Sequence, residues 1–312
     1  MQSFSENVSL SSFPLVSIAM CTYNGARYLR EQLDSLARQI YPRLEIIVVD
    51  DYSTDETMAI LEEYSNQLPL KIYRNKTNLG YIKNFEKAIS LCTGSFIAPC
   101  DQDDIWLPEK IEKLVNFCQD KLLVYCDAEL IDPTGQQLQQ KVSDVVNPVR
   151  SAEPVKLLFN NCTPGHTILF HQQLVKSALP FPDNVYHDWW LMYTAATLGK
   201  VGYLPFTLVQ YRQHPANVTN FSHHKKAGKW DSKQVRRNRQ LAILKQFKLF
   251  NDRQGIANPL LNELITCFTH RRTWGLDLNL FSILYQHRAD LYFVLKKSDV
   301  KKIHRLFKES LA

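Results

Sequence analysis

Two strand-length apolar runs in the first half of this chain end in clustered aspartates. Glu45-Ile-Ile-Val-Val leads into Asp50 and Asp51, and Phe96-Ile-Ala-Pro-Cys leads into Asp101, Asp103 and Asp104. Helix-period segments separate such runs, and this βαβ alternation demands an α/β fold: a mostly parallel, Rossmann-like sheet with helices on both faces. Ligands of an open α/β sheet bind outside the carboxyl ends of its strands, so the aspartates are expected to converge on one pocket. Carboxylates gathered there repel one another unless a cation joins them.

The pattern predicts a first strand over 16–21, closed by a turn at Thr22-Tyr23-Asn24-Gly25, and then a helix carrying Tyr28, Leu29, Leu33 and Leu36. After the second strand, Ser53-Thr-Asp-Glu56 reads as a capping box opening a helix. A third strand over 70–73, a helix with Ile82, Phe85 and Ile89, a fourth strand over 96–99 and a fifth over 122–126 follow. Residues 133–153 turn polar and glutamine-rich and read as a mobile excursion. Beyond it we expect a short helix to Phe159, a strand over 167–171, a helix from Asp188 to Leu198, and separate strands over 201–204 and 207–211. Apolar spacing over 230–312 predicts three or four helices. The expected organisation is an extension (1–14), a catalytic body (15–220) with a nucleotide half at 15–130 and an acceptor half at 155–220, and a basic helical region (221–312).

Composition narrows the class. At 45% hydrophobic and 22% charged residues the chain is globular. The start lacks a basic region followed by an apolar stretch, so no secretory signal is expected, and no run reaches the roughly 20 apolar residues of a membrane span. Seven dispersed cysteines without a C-x-x-C pair fit reduced thiols better than a disulfide framework or a zinc site, which places the protein in the cytoplasm. Residues 1–220 carry 18 Lys+Arg against 24 Asp+Glu, and 221–312 carry 19 against 7. The basic region suits either the solvated face of helices or an anionic membrane surface, with Lys225, Lys226 and Lys229 as contacts on the inner face of the plasma membrane. It lacks a nucleic-acid reading motif.

Val16-Ser-Ile-Ala-Met-Cys-Thr-Tyr-Asn24, Val48-Val-Asp-Asp-Tyr-Ser-Thr-Asp55, Asn78-Leu-Gly-Tyr-Ile-Lys-Asn84 and Cys100-Asp-Gln-Asp-Asp-Ile-Trp106 resemble, in order and spacing, the family 2 glycosyltransferases of GT-A fold. The likeness runs from about residue 15 to 217. Asp-Gln-Asp-Asp-Ile-Trp106 and Tyr211-Arg-Gln-His214 are similar to bacterial transferases of surface polysaccharide, including rhamnosyltransferases.

The resemblance implies a metal-dependent, inverting transferase that moves a sugar from a UDP- or dTDP-linked donor to a glycan or lipid-linked acceptor. Asp103 then resembles the main ligand of Mg²⁺ or Mn²⁺, with Asp101 at the metal or ribose and His214 approaching the metal or diphosphate. Asp51 would accept the ring N–H of a pyrimidine, while Cys21, Thr22, Tyr23, Asn24 and Gln102 would lie along the nucleotide. Lys83 is either a diphosphate contact or a solvated lysine. Asp188 resembles the general base, against the reading of a helix cap. Gly165 and His166 fall at the family's acceptor-side turn. Trp189 and Trp190 offer a stacking face for sugar or simply pack.

A calcium loop starting at Asp101 needs an oxygen ligand where Ile105 stands and glycine where Trp106 stands. An acidic helix N-terminus accounts for Asp104 but not for Asp50 and Asp51. A sugar nucleotidyltransferase would want a glycine-rich basic loop after the first strand, where Thr22–Ala26 stands. A noncatalytic nucleotide-sugar binding protein would share the fold without the chemistry of Asp188.

Overall fold

A computed structural model describes residues 12–217, 233–270 and 275–311. Lys225, Lys226 and Lys229, and most of the 1–14 extension, lie outside the described residues.

The chain enters the sheet at β1 (Val16–Thr22), then passes through α1 (Ala26–Ala37), β2 (Leu44–Asp50), α2 (Thr57–Tyr64), β3 (Leu70–Arg74) and α3 (Tyr81–Ser90) to β4 (Phe96–Cys100). β5 (Ile105–Trp106) and α4 (Lys110–Cys118) lead to β6 (Leu123–Ile131), β7 (Gln137–Lys141) and α5 (Val142–Val145). β8 (Ile168–His171), α6 (Val175–Ala178), α7 (His187–Leu198) and β9 (Val201–Arg212) complete the body. The sheet order is β3-β2-β1-β4-β8-β6-β9-β5, with β7 paired to β6.

Strands β3, β2, β1 and β4 are mutually parallel, whereas β8 runs antiparallel to both β4 and β6, so the sheet is parallel in its first half and mixed beyond. β1 lies between β2 and β4. The chain first winds away from β1 on one side and then returns to the other, which opens a crevice at the carboxyl ends of β1 and β4.

Both faces of the sheet are covered because alternate side chains serve two cores. Ile18, Met20, Ile46 and Val48 face α1, α2 and α4, while Ala19, Ile47 and Val49 face α3 and α7. The second core continues without interruption into the C-terminal helices α8 (Lys233–Arg253), α9 (Pro259–Thr269), α10 (Leu278–Gln286), α11 (Arg288–Leu291) and α12 (Asp299–Ser310).

Three expectations need correction. Residues 133–153 are not an open excursion: Asp132 Oδ1 accepts from the backbone N–H of Thr134 and Gln136, Gly135 turns at φ 86°, and β7 pairs back on β6 as a hairpin. The strand pair expected over 201–204 and 207–211 is one strand, β9, which follows the shorter β6 through register shifts around Asp127. The capping box at Ser53 does not form. Ser53 Oγ instead donates to Asp50 and accepts the Asn24 N–H, and Asp55 receives the Thr57 N–H at the start of α2.

Candidate active site

The loop after β1 is built around glycine and an amide clamp. Gln102 Oε1 accepts the Tyr23 N–H at 2.8 Å and Gln102 Nε2 donates to the Tyr23 carbonyl at 3.1 Å, which ties the ends of β1 and β4 together. A Cβ on Gly25 would lie 2.1 Å from Gln102 Oε1, so any larger residue there would push the Gln102 amide out of this clamp. Asn24 takes φ 46° and accepts the Thr54 N–H, while Thr22 Oγ1 donates to the fully buried Asp50. Cys21 is half-buried beside them, its thiol pushed up by burial and then by the carboxylates of Asp101 and Asp51.

Asp51 accepts three bonds: from Asn75 Nδ2 (2.7 Å) and the Leu79 N–H (2.8 Å) at Oδ1, and from the Gly80 N–H (2.9 Å) at Oδ2. It therefore shapes the Asn78–Gly80 turn ahead of α3. Lys83 is held by Glu86 at 3.1 Å and Asp183 at 3.2 Å, with its Nζ also donating to the Phe181 carbonyl. Those contacts answer the charge that a diphosphate would otherwise meet.

The aspartates after β4 meet two histidines delivered by distant elements. His166, in a 3-10 turn over Gly165–Thr167 before β8, places Nδ1 3.2 Å from Asp101 Oδ2. The same nitrogen lies 3.0 Å from Asp104 Oδ2 without hydrogen-bond alignment. Burial opposes the charge on His166, but Asp104 and Asp101 push its pKa up to about 10, so it is an imidazolium near neutral pH. His214, in the loop after β9, places Nε2 2.7 Å from Asp103 Oδ2 and packs its ring on Tyr28.

Two residues that sequence reasoning did not select complete the cluster. The fully buried Arg212 donates from its backbone to Asp104 Oδ1 and from its guanidinium to the Asp103 carbonyl, the Pro133 carbonyl and Glu31. In the sequence this arginine reads as an ordinary end-of-strand cation. Lys110, also fully buried, sets Nζ 2.8 Å from the centre of the Trp106 ring, and burial brings its pKa down to about 7. A lysine in the first turn of an amphipathic helix carries no sequence signal of burial.

Asp188 sits in the first turn of α7, behind the N-cap residue Tyr186, and accepts the Trp189 N–H at 2.6 Å. Burial, and then Asp101, raise its carboxyl to about 7 against the opposing Trp189 bond. A Cβ on Gly165 would lie 3.6 Å from Asp188 Cβ and 2.7 Å from His187 Nε2, so the glycine lets the His166 turn close onto the start of α7. That approach brings Asp188 and the Asp101 cluster into one neighbourhood. His187 stacks on Phe85 at 3.9 Å and is held neutral by burial, its pKa down to about 4.

Trp189 and Trp190 are both buried, donating through Nε1 to the carbonyls of Leu157 and Ala178 and packing against Phe247 of α8. Of the two readings of this pair, the structure shows packing, against α8, for both rings.

The donor set fits a hard divalent cation. Asp101, Asp104 and His166 form a group whose ligand atoms lie within 4.8 Å of one another. Asp104 and His166 are sealed from solvent there, and the imidazolium already serves as counter-ion. Asp103 retains access to solvent, with 16% of its side chain exposed. Burial and the neighbouring Asp104 and Asp101 carboxylates raise it to about 6 despite the His214 bond. It is the carboxylate that a bound cation would relieve most.

Solved structures share this fold. Staphylococcus aureus TarS residues 1–349 in complex with UDP-GlcNAc matches with a TM-score of 0.59 at 18% identity, covering 94% of this chain and 89% of that one. A mannosyltransferase from Pyrobaculum calidifontis, in complex with GDP-Man and Mn²⁺, matches at 0.54 and 19% over 86% of this chain and 72% of its own. The fold is that of the GT-A glycosyltransferases. In sequence, an uncharacterized glycosyltransferase of Haemophilus influenzae is 29% identical over 231 residues, 69% of this chain and 70% of the relative. One of Rickettsia typhi is 32% identical over 219 residues, 66% of each chain. The family model for glycosyl transferase family 2 matches residues 17–166, and the chain belongs to that family.

Proposed function

We propose that this glycosyltransferase moves a sugar, with inversion, from a UDP- or dTDP-linked donor to a glycan or lipid-linked acceptor of the cell surface. The observation that carries the reading is the convergence of Asp188, its carboxyl poised near neutrality, with the aspartates after β4 across the Gly165–His166 turn. The UDP-GlcNAc complex of TarS is in keeping with a uridine donor.

The donor nucleotide would lie over the β1 and β2 ends, along Cys21–Asn24. Three of the roughly four acceptor positions of the Asp51 carboxylate are filled, and the fourth, on Oδ2, would take a pyrimidine imide N–H. Mg²⁺ or Mn²⁺, held by Asp103 with Asp101 and His214, would offset the charge growing on the departing diphosphate. Asp188 removes the proton from the attacking hydroxyl. His166 and Arg212 keep the aspartate loop rigid from behind, so its carboxylates do not reorganise as charge develops. No helix among the described residues is long and apolar enough to cross a membrane. The basic C-terminal helices suit a peripheral contact with the inner leaflet.

Calorimetric titration with UDP, dTDP and CDP in the presence of Mn²⁺ tests the donor side, because cytosine offers a ring acceptor where uracil and thymine offer an N–H. UDP or dTDP should bind at least about tenfold tighter than CDP, and Asp103→Asn or EDTA should remove that binding. Equal or tighter CDP binding would remove the role given to Asp51. Metal-dependent nucleotide binding without turnover of any donor would make the protein a binding module.

A further inference from the structure

The side-chain amide of Asn75, just past the end of β3, stands behind Asp51 with its orientation fixed from three sides. Its Oδ1 accepts from the Lys87 ammonium of α3 at 2.7 Å, and an ammonium can only donate. Its Nδ2 donates to Asp51 Oδ1 at 2.7 Å and to Asn84 Oδ1 at 2.9 Å. Asn84 is itself pinned: its Nδ2 donates to the Val49 carbonyl at 2.8 Å, which turns its oxygen toward Asn75. The backbone N–H of Asn75 donates to the Asp50 carbonyl at 2.8 Å and keeps the residue beside the end of β2. Asp51, Asn75 and Asn84 are all buried. Turning the Asn75 amide over would set its oxygen against Asp51 and Asn84 and its nitrogen against Lys87, and all three bonds would be lost.

The locked amide in turn locks the carboxylate. With Asn75 and the Leu79 N–H on Oδ1 and the Gly80 N–H on Oδ2, Asp51 cannot rotate without giving up a buried hydrogen bond, and its remaining acceptor position lies on Oδ2. An acceptor that cannot turn away discriminates between bases. The imide N–H of uracil or thymine gains a bond there, whereas the ring nitrogen of cytosine meets it lone pair to lone pair. Resting on the donor reading given above, we propose that Asn75 and Lys87 are positioning residues for base selection. They act through Asp51, holding it as a fixed anionic acceptor that selects uracil or thymine over cytosine.

The test is titration of UDP and of CDP, each with Mn²⁺, into the unaltered protein and into Asn75→Asp, Lys87→Met and Lys87→Arg. Asn75→Asp keeps the shape of the side chain but sets a carboxylate oxygen against Asp51. Two carboxylates so close share a proton, and Asp51 then meets the imide with its charge withdrawn. UDP affinity should fall about tenfold or more in that variant while CDP affinity stays within about threefold. Lys87 is half-buried in the last turn of α3, so its replacement leaves the core intact. Lys87→Met should narrow the preference for UDP by about threefold or more, because the ammonium no longer polarises the Asn75 amide. Lys87→Arg, which still donates, should keep the preference. A preference unchanged in Asn75→Asp or in Lys87→Met overturns the proposal. A parallel fall in UDP and CDP affinity also overturns it, by reducing both residues to packing. Equal binding of UDP and CDP by the unaltered protein removes the reading of Asp51 itself, and the proposal with it, before any variant is compared.

Discussion

Asp188 is where burial and chemistry meet most directly in this protein. A carboxyl raised to about 7 by desolvation is protonated in acid and ionised just above neutrality. A general base works only when ionised, so kcat/KM should climb about tenfold per pH unit below pH 7 and level off above it. Asp188→Asn should cut kcat by roughly 10²–10⁴-fold while UDP–Mn²⁺ affinity is kept, and should abolish that limb of the pH profile. A variant that retains the limb would move the base elsewhere. At this scale the sequence showed some residues and hid others, for a physical reason. Asp101, Asp103 and Asp104 were visible because strand-end acids break an apolar pattern. His214 was visible through the family resemblance of the Tyr211-Arg-Gln-His214 segment, not through any local pattern. Arg212 and Lys110 were hidden because a buried cation is defined by its partners, and those lie between 79 and 181 positions away for Arg212.

At the scale of elements, one carboxylate sews the first half of the sheet together. Glu45, at the start of β2, accepts from Ser17 Oγ of β1 at 2.6 Å, from Lys71 of β3 at 2.8 Å, and from both the backbone and hydroxyl of Thr93 ahead of β4. Burial alone would raise its pKa, but these donors prevail and hold it down to about 2. A depressed folded-state pKa means the stabilisation is present in full above the usual glutamate range and is lost as pH falls toward 2. Glu45→Gln should therefore lower the urea midpoint by the equivalent of about 1–3 kcal/mol at pH 7. That difference should shrink between pH 4.5 and pH 2 in parallel denaturation curves; a difference unchanged over that range would show that the charge is not what matters. The βαβ half containing Glu45 was legible because local periodicity decides it. The β6–β7 hairpin was not, since the glutamines of β7 advertise no apolar face and only the Asp132–Gly135 turn signals the reversal.

Over the whole molecule, the question is whether the C-terminal helices are an appendage or part of the enzyme body. Apolar spacing revealed the helices and charge counting set them apart, yet neither shows what a helix packs against. Phe247 of α8 answers it. Its ring stacks on Tyr193 at 3.7 Å and on Trp190 at 6.1 Å, and meets Trp189 edge-on at 5.9 Å, all within α7, whose first turn holds Asp188. The residues on both sides of this contact belong to one continuous apolar core. Phe247→Ala should cost about 3–5 kcal/mol, a large share of the roughly 5–15 kcal/mol typical of a folded protein. Val300→Ala on the exposed side of α12, where the residue is 77% exposed, should cost less than about 0.5 kcal/mol. Because the core is shared, the Phe247 variant should unfold in a single transition at a lower urea midpoint, followed by tryptophan fluorescence and circular dichroism together. An appendage would instead melt first and leave a second transition at the unaltered midpoint. The same contact links stability to catalysis. Loosening α8 frees the first turn of α7, so kcat should fall further than donor affinity, which depends on the β1, β2 and β4 ends on the far side of the Gly165 turn.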